Sequence, residues 1–289
     1  MKLLLTGAGG QLGQALLAAV PAGWAVQALP RAECDIGDAA AVQAAMARHA
    51  PQAVVNAAAY TAVDRAESEP EAAYRCNAAG PAHLARACRD AGVRLVHIST
   101  DFVFDGRQST PYAPQDPVAP LGVYGQSKWE GEQAVRAQAG DAATILRTAW
   151  VYGPSGHNFV RTMLRLLGER EELGVVSDQI GSPTSTASLA QAIYALLAGD
   201  AGRGETMHWT DAGVASWYDF AHAIREYARE ARPAQRWAAL RPIRTAEYPT
   251  PARRPAYSVL DCTLPVAVPR AHWREALHPV VAALLRTGP

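Results

Sequence analysis

The chain begins with the run Leu3-Leu4-Leu5-Thr6-Gly7-Ala8-Gly9-Gly10-Gln11-Leu12-Gly13, in which an apolar segment leads directly into a glycine-rich turn. The apolar segment predicts a short buried strand, and residues 14–20 predict a helix. Glycines at positions 7, 10 and 13 allow a tight turn, a close approach of backbone N–H groups to a pyrophosphate, and contact between the helix and its strand. Together these elements indicate a dinucleotide site, with an ordinary glycine-rich turn as the alternative.

Further strand and helix patterns alternate along the first half of the chain. Apolar segments typical of strands occupy residues 24–29, 53–56 and 93–98, and a helical pattern with an apolar stripe lies over 77–88. This alternation predicts an α/β fold with a doubly wound parallel sheet, the Rossmann architecture. A polar helix is expected to begin within residues 61–67, and its charged side chains are assigned to solvent.

The alternation becomes less regular from Tyr152 onward. We therefore expect an NAD(P)-binding Rossmann domain over residues 1–150 and a smaller C-terminal α/β substrate domain over residues 151–289. Parts of residues 175–215 are expected to return to the first domain. At 289 residues the chain is long enough to build both.

Composition and charge exclude several classes of protein. The 27 Lys and Arg residues balance the 27 Asp and Glu residues, so no overall basic field favours nucleic acid or an anionic membrane. The four cysteines form no C-x-x-C pair and have no histidine at ligand spacing, which argues against a zinc or disulfide framework. No apolar run approaches the roughly 18 residues of a membrane span. We expect a soluble, cytoplasmic protein with reduced thiols.

The end of the second predicted strand bears on the choice of cofactor. Pro30-Arg31 stands where an acidic residue would hold the ribose 2′-hydroxyl of NAD, and an arginine can pair with the 2′-phosphate of NADP instead. Arg31 therefore favours NADPH, with a merely solvated Arg31 as the alternative. Glu33 and Asp35 lie close by, so we expect NADH to be accepted as well.

Polar side chains follow the predicted strand at 93–98. Ser99, Thr100 and Asp101 continue it, and ligands of doubly wound sheets lie beyond the carboxyl ends of the strands. The Thr100 hydroxyl and a phenol that meet at one carbonyl oxygen could stabilise the alkoxide formed when a nicotinamide delivers hydride. Asp101 could bind a sugar hydroxyl or simply cap a turn.

The run Tyr124-Gly125-Gln126-Ser127-Lys128 supplies the phenol of this hypothesis. If a helix begins here, Tyr124 and Lys128 project from one face because they are four residues apart. A phenol has a pKa near ~10 in isolation, and a neighbouring positive charge favours its ionised form, which suits it to proton transfer. A surface helix start with a solvated lysine is the alternative.

A proline-rich segment lies near the C-terminus, from Pro249 to Ser258. Its prolines fix φ and remove hydrogen-bond donors, which predicts an extended chain. Arg253 and Arg254 on such a stiff segment could clamp a diphosphate bidentately. A surface role is the alternative for Arg254.

In their order along the chain, these motifs resemble the extended short-chain dehydrogenase/reductases, a family that acts on nucleotide sugars. The resemblance implies that Thr100 polarises a substrate carbonyl, that Tyr124 donates the proton, and that Lys128 binds the nicotinamide ribose and lowers the phenol's pKa. It covers nearly the whole chain, through the segments 56–70, 99–106, 147–152 and 158–159.

The resemblance also extends the set of predicted binding residues. With the glycines and Arg31, the expected cofactor contacts are Gly7, Gly10, Gln11, Leu12, Gly13, Arg31, Asp35, Ile36, Ala58, Ala59, Tyr60, Thr61, Ile98, Tyr124 and Lys128. The expected substrate contacts are Thr100, Asp101, Trp150, Asn158 and Arg254.

The activity that the resemblance implies is NADPH-dependent reduction of a dTDP-sugar, dTDP-4-dehydro-6-deoxy-L-mannose. A nucleotide-sugar epimerase or dehydratase of the same fold is one alternative, and a non-catalytic regulatory subunit is another. Some family members bind magnesium at a dimer interface through glutamates. Because the corresponding stretches, Gln14-Ala15 and residues 185–188, contain no acid, we expect no metal and a monomer.

Overall fold

Six strands form the central sheet, and all their pairings are parallel. The computed structural model describes residues 1–262, 264 and 268–287. The strands are β1 (Lys2–Thr6), β2 (Ala25–Leu29), β3 (Ala53–Asn56), β4 (Arg94–Thr100), β5 (Ala143–Thr148) and β10 (Thr206–His208), in the spatial order β10-β5-β4-β3-β1-β2. The predicted parallel Rossmann sheet is confirmed. Since β1 lies between β2 and β3, the chain reverses its direction across the sheet there, which creates the crevice where such sheets bind ligands.

Helices cover both faces of this sheet. The first face carries α1 (Gln11–Ala18) and α8 (Thr186–Ala198); the second carries α2 (Ala39–His49), α5 (Gly80–Ala91) and α6 (Val123–Ala139). Side chains of β1 alternate between the two layers, with Leu3 and Leu5 in the first core and Leu4 in the second. A strand that is buried on both faces needs apolar side chains at successive positions, as this run provides.

The connection from β3 to α5 positions the crevice. It contains α3 (Val63–Ala66), α4 (Pro70–Tyr74) and a π-helical turn (Arg75–Ala79). In that turn the buried Asn77 amide accepts the N–H of Tyr60 at 2.8 Å, donates to the Tyr60 carbonyl at 3.0 Å, and donates to the Ser127 hydroxyl at 3.1 Å. One side chain thus ties the segment after β3 to α6.

A smaller unit follows β5. Its helices are α7 (Phe159–Glu169), α9 (Trp217–Ala231) and α10 (Trp273–Thr287). Its three ladders pair β6 (Val151–Tyr152) with β9 (Thr184–Ser185), β8 (Ile180–Gly181) with β11 (Ala215–Ser216), and β7 (Glu172–Val176) with β12 (Ala239–Ile243). Apolar side chains of its three helices form one core that includes Phe220 and Trp273. Between these elements the chain returns to the central sheet through α8 and β10.

Candidate active site

A cavity of about 700 Å³ opens at the carboxyl ends of β1, β3, β4 and β5. It occupies the place where a doubly wound sheet binds ligands. The predicted site residues that line it are Gly10, Gln11, Leu12, Ala58, Ala59, Thr61, Ile98, Thr100, Asp101, Tyr124, Lys128, Trp150, Asn158 and Arg254. Of the predicted residues within the described chain, those outside its lining are Gly7, Gly13, Arg31, Asp35, Ile36 and Tyr60.

Gly7 and Gly13 allow the glycine turn to pack closely. Gly7 has φ +72°, and a Cβ there would overlap the backbone of Ala58, while a Cβ on Gly13 would lie 2.5 Å from the Gly7 carbonyl oxygen. No side chain of the described residues caps the start of α1, and its first turn contains no acid. Its N-terminal N–H groups are therefore left for an anion, and residues 9–12 line the cavity. The turn fits the pyrophosphate of a dinucleotide.

Thr100 and Tyr124 meet in this cavity. Thr100 ends β4, and its hydroxyl accepts the N–H of Phe102 at 3.2 Å. The rings of Tyr124 and Phe102 lie edge to face with their centroids 5.5 Å apart. Burial raises the pKa of Tyr124 to about 12, and a hydrogen bond with the Thr100 hydroxyl opposes that rise. The negative charge of Asp101 adds to the rise, so the pKa of Tyr124 is raised and not lowered as predicted from Lys128, and the phenol holds its proton at neutral pH.

Lys128 lies one turn beyond Tyr124 on α6 and is almost completely buried. Its ammonium donates to the Ile98 carbonyl at 2.7 Å. Burial lowers the pKa of Lys128 to about 8, and the negative charge of Glu132 opposes this shift. The ammonium is therefore mostly charged at neutral pH, at the inner wall of the cavity.

A buried ion-pair network lies one helical turn beyond Lys128, and its residues were not among those predicted from the sequence. Glu132 accepts hydrogen bonds from the Ser99 hydroxyl at 2.6 Å and from Arg147 at 2.8 and 2.7 Å. Burial acts to raise the pKa of Glu132, but the hydrogen bonds and charge of Arg147 hold it below its usual value. The signal was the position of Glu132, four residues after Lys128 and so on the same face of α6.

Asp101 is buried in the cavity wall. The Thr100 hydroxyl donates to its Oδ1 at 3.0 Å, whereas its Oδ2 has no hydrogen-bonding partner within the described part of the chain. Burial raises the pKa of Asp101 to about 6, against the lowering effect of hydrogen bonds from Ser258 and Thr100. The carboxylate is mostly ionised at pH 7 and is fixed beside the two catalytic candidates.

Glu67 contacts the start of α6, although its charge was predicted to face solvent. Its Oε1 accepts the N–H of Val123, the first residue of α6, at 2.9 Å. A carboxylate at this position satisfies one free N–H group and interacts favourably with the helix dipole. Glu67 therefore fixes the start of the helix that carries Tyr124 and Lys128.

The residues predicted around the adenosine lie beyond the end of β2. Oδ2 of Asp35 accepts a hydrogen bond from Nη2 of Arg75 at 2.8 Å. The same oxygen lies 3.7 Å from Nε of Arg31, whose side chain is 81% exposed. Arg75 was not among the predicted site residues; it belongs to the π-helical turn, a feature common at functional sites. Ile36 is buried against Gly80, where a Cβ would overlap its side chain.

The side chain of Tyr60 does not reach the cavity lining. Its phenol donates to Glu69 at 2.5 Å, while its backbone is held by Asn77. The structure thus places the Tyr60 side chain outside the cavity, between neighbours Ala59 and Thr61 that do line it.

Trp150 enters the cavity from the segment after β5. Its φ of +47° is uncommon for a residue with a side chain, a strain that often marks functional sites. Its indole stacks on Trp217, with centroids 3.5 Å apart and an interplanar angle of 6°. Gly181 lies against the same indole, where a Cβ would overlap it. Trp217 also lines the cavity, but no sequence pattern distinguishes it from an aromatic residue of the core.

Asn158 is occupied by contacts within the protein. Its Oδ1 accepts the N–H of Arg161 and so caps α7, and its Nδ2 donates to the Gln11 side chain at 2.9 Å and to the Gly153 carbonyl at 2.9 Å. This residue was predicted to bind substrate. In the structure it joins α7 to the glycine turn.

Arg254 lines the cavity from the extended C-terminal segment. Its guanidinium forms a bidentate ion pair with Asp64, with N–O distances of 3.0 and 2.8 Å. Asp64, whose charge was assigned to solvent, is 40% exposed, but its carboxylate is also paired across a separation of 190 residues that no local pattern reveals.

Known proteins of one family match nearly the whole chain. The family model described as the RmlD substrate binding domain matches residues 1–286. A dTDP-4-dehydrorhamnose reductase of Mycobacterium tuberculosis is 46% identical over 292 residues, which cover 98% of this chain and 93% of the relative. The chain belongs to the dTDP-4-dehydrorhamnose reductase family. The resemblance read from its motifs is thereby confirmed.

Solved structures of dTDP-4-dehydrorhamnose reductases share the fold. The structure from Clostridium acetobutylicum is 38% identical with a TM-score of 0.91, and the match covers 97% of this chain and 98% of that one. The structure from Bacillus anthracis, determined in complex with NADP, is 36% identical with a TM-score of 0.90 and coverages of 96% and 98%.

The described residues form neither a metal cluster nor a membrane-spanning helix. Among the described residues, no three His, Cys, Asp or Glu side chains lie close enough together to hold a metal ion. Every helix within residues 1–262, 264 and 268–287 is too short or too polar to cross a bilayer.

Proposed function

We propose that this chain catalyses the NADPH-dependent reduction of dTDP-4-dehydro-6-deoxy-L-mannose (dTDP-4-dehydrorhamnose) to dTDP-L-rhamnose, the final step of dTDP-rhamnose biosynthesis. The observation that carries the proposal is the arrangement of Thr100, Tyr124 and Lys128 in one cavity of a chain from the reductase family. All three side chains that carbonyl reduction needs at the oxygen end are present.

The protein's part in the reaction is to place and move a proton. When bound, NADPH supplies the hydride for the carbonyl carbon. Tyr124 donates its phenolic proton to the carbonyl oxygen, and its raised pKa keeps that proton in place until negative charge develops on the oxygen. The Thr100 hydroxyl, which donates to Oδ1 of Asp101 in the structure, turns its single proton to the same oxygen when the substrate binds. The charged Lys128 stabilises the phenolate that remains.

In this proposal the glycine turn and the N-terminus of α1 hold the cofactor pyrophosphate, through Gly10, Gln11 and Leu12. Ala58, Ala59, Thr61 and Ile98 line the nicotinamide side. Arg31 pairs with the 2′-phosphate, and Asp35 accepts a ribose hydroxyl when NADH is used instead.

The substrate lies on the opposite side of the cavity. Asp101 and Trp150 contact the sugar, and Arg254 contacts the diphosphate. The domain division that fits this assignment is 1–150 for the cofactor and 151–289 for the nucleotide sugar, with 186–208 returning to the cofactor domain as α8 and β10.

The alternatives make different use of the cofactor. An epimerase or dehydratase regenerates its cofactor in each turnover and retains it, so purified protein with tightly bound NAD would favour that class. A regulatory subunit would bind a partner without turnover. The presence of Thr100, Tyr124 and Lys128 argues for catalysis.

The decisive experiment mixes the protein with the keto-sugar and either NADPH or NADH while nicotinamide absorbance is followed. We expect stoichiometric oxidation with NADPH and slower oxidation with NADH. A Tyr124→Phe variant should bind NADPH normally and lose turnover, because only the proton donor is absent. No oxidation of either cofactor by the wild-type protein would overturn the proposal.

We further propose that the enzyme acts in the cytoplasm, in keeping with its four free cysteines. We also propose that it is a monomer, because the stretches Gln14-Ala15 and 185–188 lack the acids of a metal-bridged dimer. Light scattering should give a mass near 30.7 kDa both with magnesium and with a chelator. A mass near twice that value, lost on chelation, would contradict this.

A further inference from the structure

We infer that Asp64 is a positioning residue, which fixes Arg254 so that one edge of its guanidinium faces the diphosphate of a nucleotide sugar. The inference rests on the proposed function, since it concerns how that substrate is held. Asp64 lies in α3, directly after the cavity residues Thr61 and Val63, whereas Arg254 comes from the far end of the chain.

The ion pair between them has the geometry of a fixed contact. Nη1 of Arg254 donates to Oδ1 of Asp64 at 3.0 Å, and Nη2 donates to Oδ2 at 2.8 Å. Oδ1 also accepts the backbone N–H of Ala252 at 3.2 Å. Asp64 thus holds both the guanidinium and the backbone of the segment that carries it.

The remaining contacts of Arg254 decide which edge is free. Nη1 also donates to the Thr250 hydroxyl at 2.6 Å and to the Ala252 carbonyl at 3.0 Å, so the Nη1–Nη2 edge is fully used. Within the described part of the chain, Nε donates to nothing and Nη2 makes only its bond to Asp64. The Nε–Nη2 edge therefore retains two parallel N–H groups, the fork that binds a phosphate bidentately.

The distribution of cationic side chains around the cavity also favours diphosphate binding at the Nε–Nη2 edge of Arg254. Among the described residues of the lining, the side chains that are permanently or mostly cationic are Lys128 and Arg254. Lys128 is committed to the Ile98 carbonyl beside Tyr124. Arg254 is the cation that remains for an anionic group away from the reacting carbonyl.

Two opposing effects of Asp64 can be weighed. Its carboxylate repels a diphosphate, but both groups are partly exposed and water screens that repulsion. Its bidentate contact removes the rotamer freedom of the arginine before the ligand binds, and a free arginine side chain would lose that freedom on binding. Ordering outweighs screened repulsion, so Asp64 favours binding.

The test is a double-mutant cycle in which dTDP alone is the probe and binding is measured by calorimetry. Asp64→Ala should weaken dTDP binding about tenfold in the wild-type background and leave it unchanged in an Arg254→Gln background. NADPH affinity should be unaffected in all four proteins. Asp178→Ala is the matched control. The Asp178 carboxylate accepts hydrogen bonds from the N–H and hydroxyl of Thr245, which precedes the segment that carries Arg254, but it does not contact Arg254.

Equal losses in both backgrounds would show a general structural role and overturn the inference, as would unchanged or tighter dTDP binding by Asp64→Ala. Because the cycle needs no turnover, it separates the two proposals. If dTDP binding shows the expected coupling between Asp64 and Arg254 but the protein never oxidises NADPH, the reductase proposal is wrong and the positioning role of Asp64 stands.

Discussion

The Lys128 ammonium donates a 2.7 Å hydrogen bond to the carbonyl of Ile98, two residues before Thr100 on β4. This contact joins the helix that carries the phenol to the strand that carries the hydroxyl. The three side chains proposed to be catalytic are therefore placed by one helix–strand contact, and no loop intervenes between Lys128 and its anchor. Precise placement of this kind is what proton transfer requires.

The pH dependence of the reaction should report Lys128. Burial lowers the pKa of its ammonium to about 8, so the charged form is lost as the pH rises through that value. We expect kcat/KM to fall above pH 8, approaching about tenfold per pH unit. A Lys128→Arg variant, which stays charged, should lose this alkaline limb. A profile that is flat to pH 10 in the wild type would contradict the assignment.

Asp101 should trade stability for function. Its pKa is raised from 3.8 to about 6 by burial, so the folded state holds the proton more tightly than the unfolded chain, and the stability that this group contributes falls as the pH rises through that window. Relative to wild type, Asp101→Asn should therefore gain about 2 kcal/mol of unfolding free energy between pH 4.5 and pH 7.5. Denaturant unfolding at both values measures the difference.

The same variant should lower kcat/KM, because Asp101 lines the cavity and is proposed to contact the sugar. A pH-independent change in stability would show that Asp101 is not the titrating group. Asp116→Asn serves as the control, since that side chain accepts hydrogen bonds from the loop at 108–113 away from the cavity lining.

Local pattern was sufficient for four strands of the sheet, β1 to β4, and for the residues that follow them, whereas β5 and β10 were not predicted as strands. The run at Leu3 to Leu5, the glycine turn and Thr100 follow from periodicity and from the rule that ligands lie at strand ends. Tyr124 and Lys128 follow from their four-residue spacing on a helix that does begin at Val123. These inferences need only neighbouring residues.

Contacts across long separations could not be read in the same way. Asp64 and Glu67 appear in the sequence as charges on a short polar helix, and such charges usually face solvent. Their partners, Arg254 and Val123, lie 190 and 56 residues away. Trp217 likewise lies at the cavity next to Trp150, which has an uncommon backbone conformation and stacks against it.

Glu67 offers a direct test of one such contact. Removing its carboxylate in Glu67→Ala leaves the Val123 N–H without its acceptor, so we expect a loss of about 1 kcal/mol of stability. The kcat should fall as well, because Tyr124 is the next residue. Glu71→Ala removes an exposed first-turn carboxylate of the neighbouring α4, so it should cost less stability and leave kcat unchanged. Equal stability of the two variants would contradict the capping role.

Cofactor preference should depend on the carboxylate that lies between Arg31 and Arg75. Asp35 contacts both arginines, and its negative charge opposes a 2′-phosphate while its oxygens can accept a ribose hydroxyl. Asp35→Asn should therefore raise the ratio of kcat/KM for NADPH to that for NADH by about tenfold, and Arg31→Ala should lower it by a similar factor. Steady-state kinetics with each cofactor measure the ratio. Asp38→Asn, which alters only the N-cap of α2, is the control. If Asp35→Asn shifts the ratio toward NADH, the phosphate lies elsewhere and the two arginines serve only to hold Asp35.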